Sequence, residues 1–257
     1  MDQGKGRGGP LLAGDVESIE RATVAAVSPH ALEEIDGWLL PFDGGTVNRA
    51  KSAVPLRHAL MPEPSPLIAR MEARYAARDL PAQVRLALSP CFDGMRAELR
   101  RRGYLAEQPT LVQLAPVATV RAVSAELAEV DQTPDAAWAA LFMGEGFDPV
   151  DGASRVSALR RAPGSLYASV REDGRTIAAG AAAFSHGWVS VHGMRTAPPW
   201  RGRRMAGRIL AALADAALAR GLKRCFLQVE VGNTAALALY RRAGFVTAWS
   251  YEYWRRS

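Results

Sequence analysis

Residues Thr196-Ala197-Pro198-Pro199-Trp200-Arg201-Gly202-Arg203-Arg204-Met205-Ala206-Gly207-Arg208 join an extended apolar segment to an alanine-rich helix through two prolines and a run of arginines. A strand, a tight basic turn and a helix start leave unpaired N–H groups pointing outward, where the helix dipole favours negative charge. Small residues there let an anion come close to the backbone. The segment therefore predicts a site for a pyrophosphate at the mouth of a helix.

The surrounding pattern says what such a turn is built into. Ser165 to Val170 and Thr176 to Phe184 alternate like strands around the hairpin signal Asp173-Gly174, and Trp188 to Thr196 follows after Ser185-His186-Gly187. A helix from about Arg204 to Arg220 carries Met205, Ile209, Leu213 and Ala216 on one face and stops at Gly221. Cys225 to Val231 reads as a strand, Asn233 caps a short helix that ends at Gly244, and Phe245 to Trp254 is a last strand. Antiparallel strands followed by strand-helix-strand-helix-strand predict a mixed α/β sheet with helices on its faces. Upstream, Val120 to Leu127 is expected as a first strand and Pro134 to Met143 as a helix capped by Thr133.

The first half repeats this order more faintly. A helix at Val16 to Val27, strands at Trp38 to Phe42 and Asn48 to Leu56, and a helix from Pro64 to Arg78 are expected. Strand Gln83 to Leu88, helix Asp93 to Arg102 and strand Leu111 to Val117 complete the set. A recurring order suggests duplication, although helix-Gly-aromatic endings are common C-cap chemistry. The expected divisions are a disordered lead-in at 1–13, an N-terminal domain at 14–118 and a C-terminal domain at 119–257.

Charge and cysteine content narrow the function classes. The 257-residue chain carries a net charge of +6, which invites a nucleic-acid reading. Its arginines are dispersed along helices instead of clustered with aromatics, which argues against that reading. No apolar run reaches the length of a membrane span. Two cysteines, Cys91 and Cys225, make no scaffold, and no cysteine or histidine falls in a metal-ligand spacing, so a reduced, cytoplasmic context without a bound metal is expected.

Two motifs resemble the GNAT superfamily of N-acetyltransferases, well over residues 119–257 and weakly before them. The family's acyl-CoA motif is Arg or Gln, two residues, Gly, one residue, then Gly or Ala; here it reads Arg201-Gly202-Arg203-Arg204-Met205-Ala206, with Arg204 where Gly is usual. The second, Asn, Ala, Leu-Tyr, then Gly-Phe, reads Asn233-Thr234-Ala235-Ala236-Leu237-Ala238-Leu239-Tyr240-Arg241-Arg242-Ala243-Gly244-Phe245. The resemblance implies two GNAT-like domains, the first degenerate, the second transferring an acetyl group from acetyl-CoA to a primary amine. It also implies a bulge in the strand before the turn. Met194, Arg195 and Thr196 would then pair with the pantetheine arm, Arg201 to Gly207 (Gly202, Arg203, Arg204, Met205 and Ala206 between them) would hold the phosphates, and Asn233 would touch the cofactor arm.

The same resemblance gives Tyr240 the role of general acid, against the alternative of a core tyrosine on an amphipathic helix. Some family members carry a Glu five residues before the motif Asn, where this chain has Gln228, which accepts no proton. Glu230, two residues on, is then the candidate base through water; a surface carboxylate, with solvent taking the proton, is the alternative. His192 shares a strand face with Ser190 and Met194, either as a lining of the acceptor cleft or as a structural histidine. A non-catalytic acyl-CoA-binding module is the rival reading, the acceptor's identity is unread, and homodimerisation is left open.

Overall fold

Alternation of apolar and polar residues decides where strands form, and their pairing decides how the two halves meet. The computed structural model describes residues 14–256, so the expected lead-in at 1–13 lies outside the described residues. In chain order the elements are α1 (Asp15–Val27), β1 (Ala31–Ile35), β2 (Trp38–Phe42), β3 (Val54–Pro55), α2 (Pro64–Ala76), β4 (Gln83–Ala87), α3 (Asp93–Arg101) and β5 (Leu105–Pro116). They continue as α4 (Val117–Arg121), β6 (Glu129–Asp131), α5 (Ala136–Ala140), α6 (Pro149–Arg161), β7 (Leu166–Glu172), β8 (Arg175–Ser185) and β9 (Trp188–Thr196). The last are α7 (Met205–Ala219), β10 (Arg224–Glu230), α8 (Thr234–Arg242) and β11 (Val246–Arg255).

The order β-β-β-α-β-α-β occurs twice, in β1 to β5 and in β7 to β11. One sheet holds β1-β2-β3; the other holds eight strands in the order β4-β11-β5-β10-β9-β8-β7-β6. The closing strands are exchanged. β5, from the first run, pairs antiparallel with β10 through seven residues from Arg224↔Pro116 to Glu230↔Thr110, and β11 pairs with β4 from Tyr251↔Ala87 to Arg255↔Gln83. A single parallel bridge, Ala53↔Val84, carries the pattern on from β3 to β4.

Two hairpins follow the turn chemistry expected of them: Asp173 and Gly174, then His186 and Gly187, all take positive φ, as a two-residue turn between right-twisted strands requires. Helix α7 buries Ile209, Leu210, Leu213 and Ala217 against the sheet, together with Leu166, Ala178, Val189 and Leu227. A second core under α2 and α3 gathers Leu67, Met71, Leu86, Leu99 and Trp254, the last donated by the exchanged β11.

Three expectations are corrected. Val120 to Leu127 is not a strand: Val117 and Val120, three apart, bury one face of the short helix α4, and the strand comes later at β6. Asn48 to Leu56 is a 3-10 turn (Asn48–Ala50) and the two-residue β3, because Ser52 Oγ donates to Asn48 O and bends the chain. Asp135, not Thr133, caps α5, its carboxylate accepting from Trp138 N–H at 2.7 Å. Sequence reading also passed over β1 and α6.

Candidate active site

The site begins where two parallel strands part. β9 and β10 pair only at Cys225↔Val189, Phe226↔Ser190 and Leu227↔Val191. Beyond that, β9 runs on to Thr196 and β10 to Glu230 without pairing each other, leaving a wedge open between them. On its other side β9 carries a bulge: Ala181 faces His192 and Ala179 faces Arg195, so Gly193 and Met194 stand against the single residue Gly180. Gly193 sits at φ +60, and a Cβ there would meet Leu159 and Phe142. A Cβ on Gly180 would come within 2.6 Å of Met194 Sδ and 2.7 Å of Ile209 Cγ2, so the bulge needs both glycines.

The basic turn closes one end of the wedge. Pro198 to Trp200 form a 3-10 turn, and the Arg201 N–H donates to Pro198 O at 3.3 Å. Gly202 at φ +79 and Arg204 at φ +63 then swing the chain into α7. The N–H groups of Gly202 through Ala206 find no acceptor among the described residues, while that of Gly207 donates to Arg204 O. A row of free donors at the start of a fifteen-residue helix is what a phosphate group meets in such sites. Arg204 occupies the left-handed conformation that glycine adopts freely, with its side chain exposed. Arg203 stacks on Trp200 at 4.6 Å and Arg201 Nε donates to Thr196 O, whereas Arg208 turns away to Glu126 at 3.4 Å.

The second motif follows β10 and forms α8, whose Tyr240 packs in one cluster with Val191 of β9 and Leu227 of β10. Asn233 caps α8, its Oδ1 accepting from Ala236 N–H at 3.1 Å. Tyr240 is 6% exposed and packed edge-on to Phe245, and its hydroxyl has no hydrogen-bond partner among the described residues. Burial, with Cys225 close by, pushes its hydroxyl up to about 12.

The first half closes the remaining side. Glu230 ends β10, exposed, one carboxylate oxygen accepting from Gln108 Nε2 at 2.6 Å. Gln108 in turn accepts from Asn48 Nδ2. Gln228 is fully engaged: its Oε1 accepts from Arg49 and from the Tyr251 hydroxyl at 3.0 Å, and its Nε2 donates to Thr23 Oγ1. Arg195 is mostly buried, over the Phe147 ring at 4.0 Å and 3.7 Å from Asp151. Burial first, and Arg155 second, lower its proton affinity. His192 is 4% exposed, both ring nitrogens lack partners, and burial, reinforced by Arg49, drives it down to about 3, so the ring is neutral.

β9 and the basic turn thus carry Met194 to Thr196 and Arg201 to Gly207, Asn233 starts α8, Tyr240 packs on the face of β10 that holds Cys225 and Leu227, and Glu230 ends β10 on the opposite face beside Gln108. Arg49, Gln108 and Arg155 are residues that sequence reading missed. Asp148-Pro149, an N-cap followed by proline, was the available signal for the helix that carries Arg155; Arg49 and Gln108 offered none.

Comparisons with known proteins agree with this architecture. Residues 13–254 match the model of the family described as probable histone acetyltransferase Rv0428c C-terminal. A GCN5-related N-acetyltransferase from Kribbella flavida superposes with a TM-score of 0.69 at 17% identity, covering 95% of this chain and 96% of that one. A GNAT-family acetyltransferase structure from Novosphingobium aromaticivorans gives 0.56 at 16% identity over 93% and 99%. A tandem GNAT protein from the clavulanic acid biosynthesis pathway gives 0.58 at 16% over 96% and 89%. No curated protein sequence matches this chain.

Proposed function

Because this chain belongs to the Rv0428c C-terminal family of acetyltransferases, within the GNAT superfamily, we propose that it transfers an acetyl group from acetyl-CoA to a primary amine by direct attack in a ternary complex. The observation that carries this reading is the wedge between β9 and β10, with a bulge on one lip and the free amides of Gly202 to Ala206 at its end. An extended pantetheine arm would add to β9 at Met194 to Thr196 as a short extra strand. Its diphosphate would lie on the α7 amides, with Arg201 and Arg203 supplying charge-assisted bonds.

In the reaction the amine nitrogen attacks the thioester carbonyl, and the oxyanion that forms is stabilised by a backbone N–H near Met194. The C–S bond then breaks, and the thiolate takes the Tyr240 proton. A phenol held at about 12 is fully protonated at neutral pH, so it hydrogen-bonds to the sulfur as negative charge builds there, and water restores its proton after the transfer. The proton lost by the amine passes through water to Glu230, whose second oxygen has no partner among the described residues. Gln228 supports the rival reading, a non-catalytic acyl-CoA-binding module, because an amide tied into three hydrogen bonds stands where some relatives carry a base.

The first half, with its repeated element order, is read as a degenerate GNAT-like domain that walls the acceptor cleft. Calorimetry with acetyl-CoA, followed by assay of free CoA released in the presence of an amine panel, tests the assignment. Binding with turnover is expected; binding without turnover on any acceptor would favour the rival, and no binding would remove both.

A further inference from the structure

The acceptor side of the wedge is cationic, and its charge selects among amines. Where β9 leaves β10, a small cavity is lined by His192 and Gly193 of β9, by Arg155 and Leu159 of α6, and by Val47 and Arg49 of the first half. The space it offers is about 20 Å³, room for one water-sized group, and it opens to solvent. His192 lines it with two unpartnered ring nitrogens. Arg49 lines it with an unpartnered Nε, donates only to the neutral Gln228, and has no carboxylate within ion-pair distance among the described residues.

One carboxylate is near. Asp151 accepts from Arg155 Nε at 2.6 Å and from Thr46 Oγ1 at 2.7 Å, and lies 3.7 Å from Arg195. It is therefore shared between two arginines and none of it reaches Arg49. The other acid of the wedge, Glu230, is engaged by Gln108. Three guanidiniums, Arg49, Arg155 and Arg195, face two carboxylates, Asp151 and Glu230, and the buried imidazole stays neutral near pH 7, which leaves one cation uncompensated; Arg49 is the one that pairs with neither carboxylate. A guanidinium so placed repels a polycationic peptide and matches a carboxylate, whose two oxygens suit its forked donors.

Resting on the acetyltransferase reading, we propose that the acceptor is a primary amine bearing its own carboxylate, held by Arg49 and Arg155 with His192 donating one N–H to it. The amine nitrogen then points back towards the bulge at Gly193 and Met194, where the thioester would lie.

The test compares kcat/KM for the twenty standard amino acids, their carboxamides and a lysine-rich peptide, with acetyl-CoA binding followed separately by calorimetry. At least one amino acid is expected to exceed its own carboxamide, and the lysine-rich peptide, by tenfold or more. In Arg49→Gln that acid-to-amide ratio should fall about tenfold through KM, with acetyl-CoA affinity kept; Arg155→Gln provides the same comparison if the first variant does not fold. Carboxamides or the peptide used as well as the acids would overturn the proposal, and so would acetyl-CoA binding without turnover of any of these amines. Failure to bind acetyl-CoA at all would instead remove the acetyltransferase reading on which it rests.

Discussion

Tyr240 and Arg204 are single residues whose burial and backbone make opposite predictions. Tyr240 is enclosed, with a hydroxyl that bonds to nothing around it among the described residues, so Tyr240→Phe should fold normally. Turnover should fall about a hundredfold, as for a lost general acid, with acetyl-CoA affinity unchanged in calorimetry. Arg204 holds a left-handed backbone at the entry to α7, which costs a side-chain-bearing residue about 1–2 kcal/mol. Arg204→Gly should therefore raise stability by about 1 kcal/mol in thermal unfolding; any weakening of acetyl-CoA binding then measures what the guanidinium gives to the phosphates. His192 adds a pH signature. Unfolded, an imidazole takes up a proton below about pH 6.5, whereas this one, folded, stays neutral down to about 3. Its contribution is therefore intact above pH 6.5 and is lost as the pH drops, at about 1.4 kcal/mol per pH unit. His192→Gln should flatten the fall in melting temperature between pH 6.5 and 5.

At the scale of elements, the bulge in β9 depends on the absence of two Cβ atoms. Gly180→Ala would drive a methyl into both Met194 and the fully buried Ile209, and overpacking of this kind costs about 1–3 kcal/mol. The expected outcome is a lower melting temperature together with weaker acetyl-CoA binding, because the strand lip and the helix face move together. A loss of stability with binding intact would show that the bulge does not set the cofactor's path. The turn, helix and strand boundaries of this region were legible because turn glycines, an Asn cap and apolar periodicity all act locally. Helix α4 was not: Val117 and Val120 also fit a β-branched strand, and only packing against α7 decides between the two periods. The bulge was implied by family resemblance alone, and the wedge was not foreseen, since nothing local in Cys225 to Glu230 says where β10 will stop pairing with β9.

For the whole molecule, the exchange of closing strands has the largest consequence. β5 fills the space between β10 and β11 with eight paired residues on the β11 side, and Trp254 of β11 completes the core beneath α2 and α3. Further ties cross the same boundary: Arg161 pairs with Asp43 at 2.6 Å, and Arg224 with Asp15. A fragment spanning 119–257 would expose an edge of β10 and one of β11 where β5 belongs, and open edges of that kind associate. Expressed alone, it should show no cooperative melt and should aggregate; co-expression with 14–118 should restore a soluble, cooperatively melting complex. Cooperative unfolding of the isolated fragment would show the exchange to be dispensable.

By itself the sequence determined the basic turn, the Asn-to-Phe motif, the helix that joins them and the mixed α/β character, because glycine, proline, capping side chains and periodicity act within a few residues. What lies opposite those motifs was decided only in three dimensions. Arg49 comes to His192 from more than a hundred residues away, and β5 enters the sheet between β10 and β11, two strands from the other end of the chain. Contacts of that kind carry no local signature, since they are fixed by which strand edges remain open once the local elements have formed.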